Sequence, residues 1–184
     1  VSQRIDCLFH LPTCRQGILV VPITSLMQRI TPTDWIAGHV LDLAVGQRLD
    51  LTEERNRLQR FGYRHVPQVM DCGDFSIRGA ILDLFPSGAK FPIRIELLDD
   101  QIDSLRQFDP ETQRSGTSQR QFKLLPAREF PLDADSCRRA RETLLDRFDI
   151  NPRSCGLYAD LKEGVAPSGI EYYLPLFFAQ TGNL

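Results

Sequence analysis

The stretch IRIELLDDQIDSLRQF, residues 93–108, decides the fold of the central part of this chain. In Ile93–Leu98 apolar and polar residues alternate, as they do on a β-strand whose two faces meet different surroundings. Asp99 and Asp100 mark a turn, and Gln101–Phe108 alternates again, although less regularly. The stretch therefore predicts two antiparallel strands joined by a tight turn.

The segments before this pair extend it to an antiparallel meander that follows a helix. Residues 74–85 (DFSIRGAILDLF) alternate and are interrupted at Gly79, where a glycine suits a bulge or a tight bend. The helix is expected to begin at the capping-box pattern Asp50–Glu53 and to end at Gly62. Further strands are predicted at 39–46, 63–70 and 119–125, with a polar loop from 109 to 118. Residues 40–126 are thus predicted to form an α+β domain, an antiparallel β-sheet with a packed helix.

The flanking parts, 1–39 and 127–184, have the character of partial α/β pieces. The run GILVVPI, residues 17–23, is continuously apolar and rich in β-branched residues, which predicts a buried strand. We expect a helix up to residue 11, a short helix after Thr24, a loop over 31–38 and a helix from Asp133 or Asp135 to about Phe148.

Composition and charge favour a globular protein of an ordinary kind. The chain has 184 residues, 42% hydrophobic and 25% charged, and a net charge of −2, which argues mildly against a non-specific nucleic-acid binder. No apolar run approaches the roughly 20 residues of a membrane span, so we expect no membrane partner. The five cysteines, an odd number without C-x-x-C spacing, favour a cytoplasmic location and no metal site. Because the chain begins at Val1 without a leader, we expect it to be a piece of a longer protein.

Motifs that carry catalytic chemistry are absent from the sequence. There is no G-x-x-x-x-G-K-[ST] phosphate loop, and residues 87–90 (SGAK) lack both its first glycine and its final hydroxyl residue. The chain likewise has no G-x-G-x-x-G, H-E-x-x-H or G-x-S-x-G pattern. We therefore expect no catalytic residues and no cofactor in this chain.

Charged residues on the predicted sheet face form a candidate binding surface. The residues predicted to point away from the core are Asp74, Ser76 and Arg78 on one strand and Arg94, Glu96 and Leu98 on another. If these strands are neighbours, arginines surround an apolar residue on a solvent-facing surface, an arrangement typical of protein interfaces. The alternative is a plain solvated face with cross-strand ion pairs. Because Arg94 lies between Ile93 and Ile95 and points away from the face that they bury, we expect Arg94→Ala to change stability by less than about 1 kcal/mol.

Three segments carry a resemblance to a known family. Residues 62–86 (GYRHVPQVMDCGDFSIRGAILDLFP), 94–109 (RIELLDDQIDSLRQFD) and 124–131 (LLPAREFP) closely resemble the N-terminal part of bacterial transcription-repair coupling factors (Mfd). The excision-repair protein UvrB shares a weaker core of this pattern. Residues 25–30 (SLMQRI) and 169–178 (GIEYYLPLFF) resemble the coupling factors and not UvrB.

The resemblance implies a domain organisation and a set of partners. In this family a first domain is split in sequence, and a second domain, similar to domain 2 of UvrB, is inserted into it. Residues 1–39 would be part of the first half, 40–126 the inserted domain and 127–184 the start of the second half. The inserted domain of the family binds UvrA and brings it to RNA polymerase stalled at DNA damage. The regions that bind polymerase and move along double-stranded DNA with ATP and magnesium lie further along the family's chain.

The resemblance also implies which residues contact UvrA. By position, the family's contacting arginines correspond to Arg78 and Arg94, and Glu96 corresponds to an acidic partner residue. The family often has Phe where this chain has Leu98, and a leucine offers less apolar area. A direct DNA-binding module of a UvrB-like repair protein is the alternative function, and a salt titration distinguishes the two.

Overall fold

The computed structural model describes residues 2–182, with side chains from Gln3 onward. Contacts divide the chain into two compact units: the first contains the residues up to Pro12 and Ile36–Arg128, and the second contains Thr13–Trp35 and the residues from Glu129 on. The described helices are α1 (Ser2–His10), α2 (Ile23–Leu26), α3 (Thr33–Gly38), α4 (Leu51–Arg60), α5 (Ala134–Arg147), α6 (Gly156–Lys162) and α7 (Leu174–Phe177), with 3-10 turns at Leu11–Thr13 and Ile170–Tyr173. The strands are β1 (Leu41–Ala44), β2 (Arg64–His65), β3 (Asp74–Arg78), β4 (Ile81–Leu84), β5 (Ile93–Leu98), β6 (Gln101–Phe108), β7 (Ser115–Gln119) and β8 (Gln121–Leu124).

A six-stranded sheet in the order β2-β3-β4-β5-β6-β7 dominates the first unit. β2 runs parallel to β3, and every other neighbouring pair is antiparallel. β1 and β8 form a separate antiparallel pair. Mixed but mainly antiparallel sheets with packed helices confirm the predicted α+β class.

Two tight turns set the register of the meander. Gly79 and Ala80 connect β3 to β4, and Gly79 has a φ of +59°. A positive φ at the first turn residue matches the right-handed twist of a hairpin, and glycine adopts it without cost. Asp99 and Asp100 connect β5 to β6 as predicted. Asp99 has a φ of +55°, a backbone conformation that residues other than glycine adopt less readily.

Helix α4 begins and ends as its sequence predicts. The Asp50 carboxylate accepts hydrogen bonds from the backbone N–H groups of Thr52 and Glu53, at 2.7 and 3.1 Å. These bonds satisfy N–H groups that have no partner within the helix. Gly62 follows the last turn with a φ of +88°, and a Cβ there would come within 2.7 Å of the Arg128 side chain. Glycine is therefore required at this helix end.

The main core lies on one face of the six-stranded sheet. Leu58 and Phe61 from the α4 region pack there against apolar residues of the sheet and of the β1–β8 pair. The sheet contributes Phe75, Leu82, Leu84, Ile93, Ile95, Ile102 and Leu105. Ile93 and Ile95 are buried as the alternation of Ile93–Leu98 predicts, and Ile95 is fully inaccessible.

Several predicted strands differ in extent. The strand expected over 63–70 is reduced to β2, because residues 66–71 leave the sheet edge and fold over its other face, where Val69 is buried. The loop expected up to 118 contains β7, a polar strand of small residues. Its pairing with β6, and not a hydrophobic pattern, makes it a strand.

The second unit is built around α5. Asp133 caps this helix, accepting from the Ser136 N–H at 3.0 Å and the Ser136 hydroxyl at 2.7 Å. Burial works to raise the pKa of Asp133, but these hydrogen bonds outweigh it, and the pKa lies below the usual range. The core of the unit joins Cys137, Ala140 and Leu144 of the helix to residues of α6, α7 and the turn before α7.

Two expectations for the flanking parts are wrong. Residues 17–23 form no strand, and Ile18, Val20 and Ile23 are mostly exposed. An apolar run becomes a buried strand only when another strand pairs with it, and the described residues provide none. Residues 33–38, expected as loop, form α3.

The compact units and the predicted domains are not the same division. The residues up to Pro12 cluster with the first unit, whereas the prediction assigns 1–39 to a split domain. The boundaries of the folding domains therefore stay a prediction. None of the described helices is both long enough and apolar enough to cross a membrane.

Candidate protein-interaction face

The predicted site residues lie on the face of the six-stranded sheet opposite the main core, here called the outer face. Backbone pairing arranges its side chains in two rows across the strands. One row contains Arg78, Ile81, Glu96 and Ser104, and the other contains Ser76, Asp83, Arg94 and Arg106. Leu98 lies at the end of β5, opposite Gln101.

One half of the outer face is covered by loops. Val66, Val69, Phe85 and Phe108 form a small apolar cluster there. The Ser76 hydroxyl donates to the Pro67 carbonyl at 3.1 Å. Loop residues therefore cover the sheet surface in this half.

Asp74 helps to fold residues 66–71 over that half. Its Oδ1 accepts from Arg64 Nε and Nη2, at 3.0 and 2.8 Å, and its Oδ2 accepts from the backbone N–H of Asp71 at 3.1 Å. Asp74 and Ser76, predicted to face solvent, are consequently buried. Alternation gave the correct side of the sheet for both residues but could not show that a loop covers it.

The other half of the outer face is open. Half of the Arg78 side chain is exposed, and Leu98 is 68% exposed. Ile81 and Glu96 are partly exposed between them. The Glu96 carboxylate accepts a hydrogen bond from the Ser104 hydroxyl at 2.6 Å, which fixes its orientation. An arginine, a carboxylate and apolar groups are thus accessible on one surface.

Asp83 lies at the border of the two halves and binds both arginines. Its side chain is 1% exposed. Its Oδ1 accepts from Arg94 Nε at 2.7 Å, and its Oδ2 accepts from Arg94 Nη2 at 2.9 Å and from Arg78 Nη2 at 2.6 Å. A buried carboxylate requires such charged partners, because burial without them carries a large desolvation penalty.

Arg94 is mainly a structural group in this arrangement. Its side chain is only 14% exposed, and Nη1 donates to the Gln113 carbonyl at 3.2 Å. The guanidinium carbon lies 4.7 Å from the centre of the Phe108 ring, a favourable cation–π contact. The hydrogen bond to Asp83 raises the pKa of Arg94 above its usual range despite an opposing effect of burial.

The loop between β6 and β7 supplies part of that support. The Asp109 carboxylate accepts from the backbone N–H groups of Glu111 and Thr112, at 2.9 and 2.8 Å, and these hydrogen bonds hold its pKa below the usual range. Gln113 follows with a φ of +59° and presents its carbonyl to Arg94. A non-glycine residue with positive φ is uncommon and indicates that surrounding contacts hold it there.

The structure changes the predicted site in two respects. β3 and β5 are not neighbours, because β4 lies between them and contributes Asp83. Sequence reasoning missed this residue, although its position between Leu82 and Leu84 in ILDL places it on the outer face. Because Arg94 is the main partner of this buried carboxylate, the structure favours a larger loss of stability for Arg94→Ala than strand alternation alone predicts.

The arrangement suits the recognition of a partner group. A half-exposed guanidinium can bind a partner carboxylate through charge-assisted hydrogen bonds, and an exposed leucine on the same face can enter an apolar pocket. Among the described residues no group of three or more His, Cys, Asp or Glu side chains could hold a metal ion.

Comparisons with known proteins identify relatives of both the domain and the chain. Residues 41–130 match the family model of the UvrB interaction domain. The chain is 43% identical over 180 residues to the transcription-repair-coupling factor of Escherichia coli, which covers 98% of this chain and 16% of the relative. It is 40% identical over 185 residues to that of Haemophilus influenzae, covering all of this chain and 16% of the relative, and 35% identical over 183 residues to that of Myxococcus xanthus, covering 97% and 15%.

These matches confirm the resemblance that the sequence motifs indicate. The chain spans about a sixth of the length of these relatives. Residues 41–130 therefore belong to the UvrB interaction domain family, within a chain that is similar over nearly its whole length to transcription-repair-coupling factors.

Proposed function

We propose that this chain is a protein-interaction module that recruits UvrA during transcription-coupled nucleotide excision repair, a cytoplasmic role. The observation that carries the proposal is the open half of the outer face, where Arg78 is held by buried Asp83 and Leu98 is exposed. The relatives named above are coupling factors, and the matched domain is an interaction domain. In a longer protein, RNA polymerase and double-stranded DNA would be the further partners, bound by other regions.

The contacts we propose involve four residues with different tasks. Arg78 binds an acidic group of UvrA, and Leu98 enters an apolar pocket. Glu96, oriented by Ser104, accepts from a donor of the partner. Arg94, which is 14% exposed, supports this surface through Asp83 and contributes its accessible part to the contact with UvrA.

The charge distribution favours a protein partner over DNA. Phosphate binding needs arginines whose charge is available. Arg94 is matched by Asp83, and Glu96 adds a further negative group to the open half. The net charge of −2 is consistent with this preference.

Calorimetric titration of the whole chain with UvrA tests the proposal. We expect Arg78→Ala to weaken binding by about 1–3 kcal/mol, or about 5- to 150-fold, because a central arginine with a forked acidic partner is typical of a binding hot spot. Leu98→Ala should weaken binding as well. The matched control is Arg106→Ala, an exposed arginine of the same face opposite Arg94, which should bind as the unmodified chain does.

Two further arms separate the alternatives. If duplex DNA binds as strongly as UvrA, and that binding falls steeply with salt, the DNA-binding alternative replaces the proposal. We propose that no cofactor is involved in this segment, so binding should be unchanged without ATP and in the presence of EDTA. Equal binding by Arg78→Ala and the unmodified chain would mean that the open half is not the site.

A further inference from the structure

The carboxylate of Asp83 is a fixed point between two arginines from different strands. It lies on β4, which is flanked by β3 with Arg78 and by β5 with Arg94. Both of its oxygens accept hydrogen bonds, and the three bonds to the arginines measure 2.6–2.9 Å. With 1% of its side chain exposed, Asp83 cannot contact a partner protein itself.

The two arginines are bound to Asp83 in different ways. Arg94 makes a fork to both oxygens through Nε and Nη2 and commits Nη1 to the Gln113 carbonyl. The fork fixes the orientation of the carboxylate. Arg78 commits Nη2, while half of its side chain remains exposed. Arg94 thus orients Asp83, and Asp83 orients Arg78.

The charge balance points in the same direction. Within the cluster of Arg78, Asp83 and Arg94, one carboxylate faces two guanidinium groups, so one positive charge is in excess. An exposed arginine usually loses considerable side-chain entropy when it binds a carboxylate. Arg78 has lost part of that freedom before binding, because its guanidinium is already held at 2.6 Å from Asp83.

We propose that Asp83 is a positioning residue that preorganises Arg78 for a carboxylate of the partner protein. This inference rests on the proposed function. Arg94 supports this position of Arg78 by fixing the orientation of the Asp83 carboxylate.

The two possible roles of Asp83 predict opposite effects of Asp83→Asn on the affinity for the partner, which makes the inference testable. If Asp83 only offset positive charge, Asp83→Asn would increase the positive potential of the open half and strengthen binding to an acidic group. If Asp83 positions Arg78, Asp83→Asn weakens binding, because the amide accepts a weaker hydrogen bond and its NH2 group repels one of the guanidinium donors.

The experiment is a double-mutant cycle measured by calorimetry with UvrA and the whole chain, below the melting temperature of every variant. We expect Asp83→Asn alone to weaken binding by about 5- to 10-fold, a preorganisation effect of order 1 kcal/mol. In the Arg78→Ala background Asp83→Asn should have no further effect, since the residue that it positions is absent. Ser104→Ala, which removes a hydrogen bond from Glu96 and none from Asp83, is the matched control. Its effect on the binding free energy should be the same with and without Arg78→Ala.

Each outcome decides between the two roles. A loss of affinity from Asp83→Asn of equal size in both backgrounds would show a general structural effect and overturn the inference, as would stronger binding. If Asp83→Asn does not fold, Arg94→Lys replaces it, because lysine keeps a cation near Asp83 but cannot make the fork; its effect should likewise vanish in the Arg78→Ala background. If Arg78→Ala does not weaken binding at all, the proposed function fails. The cycle includes Arg78→Ala as a single variant, so this result is distinguished from a failure of the role proposed for Asp83.

Discussion

Replacing Arg94 by alanine removes the main partner of a buried carboxylate. Asp83, 1% exposed, would lose the two hydrogen bonds of 2.7 and 2.9 Å that Arg94 donates and would retain the single bond of 2.6 Å from Arg78. Breaking a buried ion pair from one side costs about 3–5 kcal/mol, since an uncompensated charge remains. The cation–π contact with Phe108 and the bond to the Gln113 carbonyl are lost as well.

The remaining bond from Arg78 offsets part of this cost, so we expect a loss of about 3 kcal/mol in the free energy of unfolding. For a chain of this size such a loss lowers Tm by about 6–12 °C. Arg78→Ala should cost less than about 1 kcal/mol, because that side chain is half exposed and solvent screens its ion pair.

Urea unfolding followed by far-UV circular dichroism measures these differences. Arg106→Ala is the control, because this exposed arginine lies opposite Arg94 on the next strand and should change stability by less than about 0.5 kcal/mol. Asp83→Asn combined with Arg94→Gln should recover part of the loss, since a pair of neutral groups leaves no buried charge. If Arg94→Ala were as stable as Arg106→Ala, the buried ion pair would not contribute as the distances indicate, and the reasoning would be refuted.

Three further substitutions test other parts of the first unit. Ile95→Ala should destabilise the chain by about 2–5 kcal/mol, because Ile95 is fully buried in the main core; a loss below 1 kcal/mol in urea unfolding would contradict this. Burial raises the pKa of Glu54, so folding favours its protonated form and the associated stability is lost as pH rises through the folded pKa. Glu54→Gln should therefore stabilise the chain at neutral pH, since Gln carries no charge to desolvate, and the advantage should shrink in melts at lower pH. An advantage that grows on acidification would reverse that sign. Asp99→Gly should stabilise the chain by about 0.5–1 kcal/mol, because Asp99 holds a φ of +55° that glycine adopts freely, and an unchanged or lower Tm would show that the side chain compensates for its backbone conformation.

Local patterns in the sequence correctly predict the elements on which the site is built. Alternation in Ile93–Leu98 places Ile93 and Ile95 in the core and Arg94 on the opposite face. The Asp50 cap and the Asp99–Asp100 turn are also visible in the sequence. These features depend on neighbouring residues along the chain, so short-range geometry is sufficient to predict them.

Only the tertiary structure decides what each face meets. The run at residues 17–23 has the composition of a buried strand yet is largely exposed, while β7 has no apolar pattern and is a strand because β6 pairs with it. Hydrophobicity describes a residue's preference and carries no information about which segment will cover it.

The same distinction applies to the candidate site. The sequence alone placed Arg78, Arg94, Glu96 and Leu98 on one face of a sheet, since a strand's side chains alternate regardless of what surrounds it. It did not show that Asp83, on the strand between β3 and β5, would be buried there and meet both arginines. Strand order and loop coverage arise from contacts between residues that are distant in the chain. Those contacts cover most of the Arg94 side chain and leave half of the Arg78 side chain exposed, although both arginines lie on the same face of the sheet.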